Sequence, residues 1–93
     1  MKPPITAEQY LNHPTFGLLY GVCPLDEHRQ LFTTLYAQRL FFIVSHRPGG
    51  MKFESISRTD ARMLIEQRLR SLRRLGKTAE YKALEAIHRQ AFL

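Results

Sequence analysis

The run LFTTLYAQRLFFIV, from Leu31 to Val44, constrains the fold more than any other part of the chain. It is fourteen residues long, rich in aromatic and β-branched side chains, and free of Gly and Pro. Strands in globular proteins rarely exceed about ten residues, so this run must bend or fold back. The polar interruption at Ala37-Gln38-Arg39 is the expected place. Side chains alternate across a strand, so Leu31, Leu35 and Ala37 are expected inward, with Phe32 and Tyr36 opposite. Beyond the bend, Leu40 and Phe42 oppose Phe41 and Ile43. A small sheet has one core face, and the aromatics on its other face need a cover, from the chain itself or from a partner.

The surrounding residues read as further strands. Thr15 to Val22 alternates, with Phe16, Leu18, Tyr20 and Val22 on one face. Pro24 ends that segment, and a polar loop leads to Gln30. His46-Arg47-Pro48-Gly49-Gly50 is a turn, because Pro fixes φ and Gly supplies positive φ. It joins the apolar run to the alternating segment Met51–Ile56. Tyr10-Leu11, ahead of Pro14, can add an extended edge segment. Four or five short strands in roughly fifty residues predict a small SH3-like barrel.

From Ser57 onward the period changes. Ser57 stands three positions before Asp60, and Thr59 can also cap. Ala61, Leu64, Ile65, Leu69, Leu72 and Leu75 recur at helical spacing, and Gly76 sits where a left-handed residue ends a helix. A second helix is predicted from Thr78 or Ala79, with Tyr81, Leu84, Ile87 and Ala91 or Phe92 as its apolar stripe. So short a connection makes an antiparallel helical hairpin. Helices of this length are marginal alone and must pack on each other and on the barrel. The predicted class is therefore β + α: a barrel over residues 1–57, a hinge at Ile56-Ser57-Arg58, and a basic two-helix hairpin over residues 58–93.

The chain has 93 residues and a single cysteine, Cys23, so it has no disulfide framework, as fits a reducing compartment. Cys23 ends an apolar run and reads as a small buried hydrophobe. No apolar run reaches transmembrane length, and the start lacks an apolar signal core, so a soluble cytoplasmic protein, without membrane contact, is expected. His13, His28, His46 and His88 are scattered and read as surface histidines. No His-x-x-x-His or Cys-x-x-Cys spacing indicates a metal, and Asp26-Glu27 reads as a turn. Nothing in the pattern pairs a nucleophile with a base, and no catalytic activity is expected.

Two constellations suit binding. The net charge of +6 is uneven: +1 over residues 1–55 and +5 over residues 56–93. Arg70, Arg73 and Arg74 fall on a helix face away from Ile65, Leu69 and Leu72, with Lys77 beside them. This face is a candidate second partner surface. It suits an acidic protein or nucleic acid, and also the plain role of complementing a helix C-terminus. The lack of interleaved aromatics weighs against single-strand binding. The other constellation is Tyr36, Gln38, Arg39, Leu40 and Phe42, since Tyr and Arg are enriched at binding hot spots. Tyr10, Leu11 and Phe16, near Glu8, can lie on the same side. The competing reading packs Tyr36 and Phe42 against the helices. A nucleic-acid-binding SH3-like module with a basic helical tail is the alternative function.

Four strings carry a resemblance: YLNHPTFGLLY at Tyr10–Tyr20, LFTTLYAQRLFF at Leu31–Phe42, SRTDARMLIEQRLRSLRRLG at Ser57–Gly76 and EYKALEAI at Glu80–Ile87. Together they resemble the PipX family, small cyanobacterial regulators that bind the PII signalling protein. The first six residues, MKPPIT, and the loop around Pro24-Leu25-Asp26-Glu27-His28 depart from the pattern. The resemblance implies a Tudor-like barrel whose surface, including the residue at Tyr36, contacts both the PII trimer and the NtcA dimer. It further implies a transcriptional coactivator of nitrogen control that binds 2-oxoglutarate-loaded NtcA and is captured by PII when 2-oxoglutarate is scarce. The metabolite is then sensed by the partners, and this chain needs no cofactor or small-molecule ligand. Another regulator or RNA polymerase is a further candidate partner for the helices. Alone, the chain is expected to be a monomer.

Overall fold

Leu31 pairs with Ile43, Phe32 with Phe42 and Thr33 with Phe41 across an antiparallel ladder, so the long apolar run folds back on itself as two strands. The computed structural model describes residues 10–34 and 40–92. The expected bend at Ala37-Gln38-Arg39 lies outside the described residues. The strands are β1 (Tyr10–His13), β2 (Gly17–Pro24), β3 (Arg29–Thr34), β4 (Phe41–Arg47) and β5 (Gly50–Ile56), followed by helices α1 (Arg58–Arg74) and α2 (Thr78–Phe92). Each strand pairs antiparallel with the next, in the order β1-β2-β3-β4-β5. The sheet curls into a half-barrel and the two helices follow it, which is the expected β + α architecture.

Both faces of this sheet are buried, and the chain supplies both covers. On one face Val22, Cys23, Leu31 and Phe41 form a single core with Ala61, Ile65, Leu72, Leu84 and Ala91 of the helices. On the other face Leu19, Phe32, Phe42 and Val44 pack together, with Leu11 and Phe53 against them. Adjacent residues Leu31 and Phe32 are both fully buried, because their side chains enter different cores. The aromatic residues on the face away from the helices therefore line the hollow of the curl.

The expected alternation through β2 breaks at a bulge. Register shifts between Gly21 and Cys23, and an extra residue in one strand changes which side chains share a face. Leu19 therefore joins the Phe32 core while Val22 and Cys23 both join the helical core. Leu18 and Tyr20, expected to share a face with Val22, are half-buried, and Phe16 lies in the turn before the strand.

Helix α1 starts and stops where its sequence dictates. Ser57 Oγ accepts the Asp60 N–H at 3.0 Å, satisfying a donor that the first turn leaves free. At the other end Lys77 N–H donates to the Leu72 carbonyl at 3.0 Å and Gly76 N–H to the Arg73 carbonyl at 3.2 Å. Gly76 takes φ +71°, the left-handed state that this terminal hydrogen-bond pattern requires. Leu75, expected as the last residue of the apolar stripe, is instead 64 % exposed. The helix ends at Arg74, and the cap carries Leu75 off the buried stripe.

The joint between sheet and helices, expected to act as a hinge, is tied from both sides. The Arg58 guanidinium donates to the Ala91 carbonyl and lies over the Phe92 ring at 4.9 Å. Phe92 in turn stacks on Phe41 of β4, centroids 5.5 Å apart. Farther along the hairpin, His88 Nε2 meets Glu66 Oε2 at 3.1 Å.

Candidate functional site

The turn His13-Pro14-Thr15-Phe16 closes the open side of the half-barrel. His13 Nδ1 accepts the N–H groups of Thr15 at 3.0 Å and Phe16 at 3.2 Å. Those bonds place the remaining ring proton on Nε2 when the imidazole is neutral. The ring is stacked on Phe42 at 5.6 Å and meets Phe53 of β5 edge-on at 5.1 Å. Phe16 packs against both His13, at 4.9 Å, and Phe42, at 5.4 Å. First and last strands thus meet through aromatic side chains across the hollow. Offset and edge contacts of this kind add about 0.5–1.5 kcal/mol per pair beyond burial. The sequence reading took His13 for a surface histidine. Its local signal is a side-chain acceptor two and three residues before backbone donors, the same logic by which Asn and Asp nucleate turns.

Phe16 remains 45 % exposed, so this closure presents an aromatic face to solvent. Leu40 is exposed as well; its carbonyl accepts from Thr34 N–H at 3.2 Å and from Thr33 Oγ at 2.8 Å. Phe42 is 3 % exposed and forms the floor beneath Phe16. Leu11 packs into the same core. Tyr10, its neighbour in β1, therefore faces the other way, opposite Tyr20, and is 55 % exposed. The structure thus brings Phe16 onto Phe42 and sets Tyr10 on the opposite face of the sheet from them. Glu8, Tyr36, Gln38 and Arg39 lie outside the described residues; the last three belong to the five positions between Thr34 and Leu40.

The basic end of α1 resolves into distinct environments. Arg73 donates to the Tyr81 hydroxyl at 3.1 Å and lies over its ring at 5.3 Å, so it ties α1 to α2. Arg74 reaches Ser71 Oγ at 3.4 Å. Arg70, Arg74 and Lys77 are exposed, and none has an ion-pair partner among the described residues. The helical carboxylates have other neighbours: Glu80 pairs with Arg68, Glu85 with Arg89, and Glu66 meets the His88 ring.

Two other sequence readings concern chemistry. Asp26 Oδ1 accepts N–H groups from His28 and Arg29, both at 2.8 Å, and Oδ2 accepts Arg29 Nε at 2.7 Å. The Arg29 side chain, then the backbone donors, hold this carboxyl below its ordinary range. It is a turn residue, as expected. Cys23 is 4 % exposed, and burial pushes its thiol up to about 12 against the opposing pull of Arg68.

A neutral, inaccessible Sγ is a poor nucleophile, and the expected result is slow labelling by thiol reagents until the protein unfolds. The sign of the pH effect follows. The unfolded chain releases this proton near pH 9 and the folded chain only near 12, so the native state binds the extra proton between them. The contribution is intact below about pH 9 and is lost on going up, by about 1.4 kcal/mol per pH unit. Urea melts of the wild type and Cys23→Ala should diverge in that direction across this window.

Among the described residues no three His, Cys, Asp or Glu side chains converge as a metal site, and no helix is long and apolar enough to cross a membrane. Among curated proteins, none matches the chain closely enough to count as a relative. A family model described as PipX, PII-interacting protein X, matches residues 7–92, which takes in every described strand and helix, and the chain therefore belongs to the PipX family.

Proposed function

We propose that this protein is a regulatory adaptor of nitrogen control that exchanges between two protein partners. It binds and stabilises the 2-oxoglutarate-loaded NtcA dimer, acting as a cyanobacterial transcriptional coactivator in the cytoplasm. It is captured by the PII trimer when 2-oxoglutarate falls. The observation that carries this reading is membership of the PII-interacting family across nearly the whole chain. The half-exposed Phe16 over its Phe42 floor, and the exposed Leu40 that follows Tyr36, Gln38 and Arg39 in the sequence, fit a binding surface on the barrel. Glu8, Tyr10 and Leu11 are included on the resemblance alone, Tyr10 from the other face of β1. The NtcA part rests on the resemblance of the strings that carry these residues.

A standard interface takes about 800 Å² from each partner, and a barrel of this size has little room for two. PII and NtcA should therefore exclude each other. The control then lies in their relative affinities, set by metabolites on the partners, with no conformational change required here. In surface plasmon resonance, free PII should displace this protein from immobilised NtcA when 2-oxoglutarate is low. A stable ternary complex with both partners on one copy would sink the shared-surface reading. Arg70, Arg73, Arg74 and Lys77 form the candidate second surface, open to a regulator or to RNA polymerase while the barrel is occupied.

A further inference from the structure

We propose that the tip of the helical hairpin docks an acidic protein segment that carries an apolar side chain. The inference deepens the second-surface reading above by naming the chemistry of its partner. Two independent observations support it. The first is Leu75. It stands 64 % exposed at the tip, outside the core that holds Leu72 and Leu84, and the cap hydrogen bonds around Gly76 and Lys77 fix its place. The second is charge. Arg70, Arg74 and Lys77 surround this residue in sequence and have no carboxylate partner among the described residues, while three of the four helical carboxylates are engaged elsewhere. The fourth, Asp60, lies in the first turn of α1, at its far end.

The helix dipole accounts for only part of this. Cations in the last turn of a helix gain about 0.3–1 kcal/mol from it, which covers Arg73 and Arg74. It does not account for Lys77 beyond the helix end or for an exposed leucine among the cations. An apolar centre with a charged rim is the anatomy of a protein interface, and the rim charges speed encounter and set partner choice. A nucleic-acid backbone offers Leu75 nothing to bury against, and this tip presents no exposed aromatic for base stacking. The clamp of Arg73 on Tyr81 fixes the two helices at this end, so little ordering remains to be done on binding.

The test is a titration of the full chain followed by amide NMR. The probe is a short blocked Glu/Asp peptide carrying leucine, and its control is the same peptide with serine at the leucine positions. Shifts should centre on residues 70–77, with the leucine peptide bound about fivefold to tenfold more tightly. Leu75→Gln should erase that preference. Arg70→Glu with Arg74→Glu should remove the shifts, whereas the same charge change at exposed Arg47 and Lys52 on β4 and β5 should leave them. Equal affinity for the two peptides, or shifts spread over the barrel, would overturn the proposal. Tighter binding of random-sequence duplex DNA at the same residues in physiological salt would overturn it too. PII capture of the unmodified chain is measured separately, so failure at the tip and failure of the adaptor reading are told apart.

Discussion

Cutting the chain after Ser57 is expected to leave residues 1–57 without a cooperative fold. The cut removes the helices that cover Val22, Cys23, Leu31 and Phe41, each less than 5 % exposed in the whole protein. Burial of one such side chain contributes about 1.5–3 kcal/mol, so four exposed together forfeit on the order of 6–12 kcal/mol. That is comparable to the entire stability of a typical domain, about 5–15 kcal/mol. The Leu19, Phe32, Phe42 and Val44 core would survive in composition, closed by His13 and Phe16, but a sheet with one bare apolar face tends to aggregate or loosen. The division at residues 57/58 expected from the change of period is a boundary in the chain, while the core runs across it. In the intact chain Phe41→Ala should report the same coupling, at a cost of about 3–5 kcal/mol, because it removes the ring on which Phe92 stacks. Amide NMR dispersion and binding of a hydrophobic dye read out the truncation. A dispersed spectrum with a two-state melt for residues 1–57 would show that the barrel is independent after all.

The features legible in advance were local ones. Ser57 three residues before Asp60, Gly76 after an amphipathic run, and the stripe Tyr81, Leu84, Ile87 and Ala91 each depend on a few neighbours, and each lies where expected. The fold-back of the fourteen-residue run was legible too, because no strand of that length suits a small sheet. What could not be read were consequences of distant contact. Whether Phe32 and Phe42 needed a partner depended on the curl of the sheet, which lets the chain fill its own hollow. The bulge at Gly21–Cys23 leaves no periodic trace, so nothing in the alternation showed that Val22 and its neighbour Cys23 enter the same core. Leu75 obeyed the helical period but fell one residue past the helix end, where the period no longer decides burial. His13 looked like a surface residue because its role depends on Phe42 and Phe53, distant in sequence. The Arg73–Tyr81 clamp was hidden for a similar reason: it joins two helices whose stripes were read separately.

Tyr36→Ala is expected to weaken binding to PII and to NtcA alike, by a few kcal/mol, a loss of the size seen at interface hot spots. Tyr36 belongs to the five positions between Thr34 and Leu40, whose backbones are tied by the Thr34 N–H to Leu40 carbonyl bond. The ladder below that bond, from Thr33–Phe41 to Arg29–Ser45, and the two cores hold the described residues together, and the role proposed for Tyr36 is contact with the partners. Stability should therefore change little. This separates the variant from Phe42→Ala, which removes a buried ring from under His13 and Phe16 and should lower both stability and binding. A Phe16→Ala variant should fall between them, with modest loss of stability and measurable loss of affinity. One common surface predicts that Tyr36→Ala lowers both affinities while leaving circular dichroism and the melting transition near wild type. Loss confined to PII would mean that NtcA uses another surface, with the hairpin tip the first place to look. Unchanged affinity for both partners would remove Tyr36 from the interface, and a collapsed spectrum would mean that its ring is core.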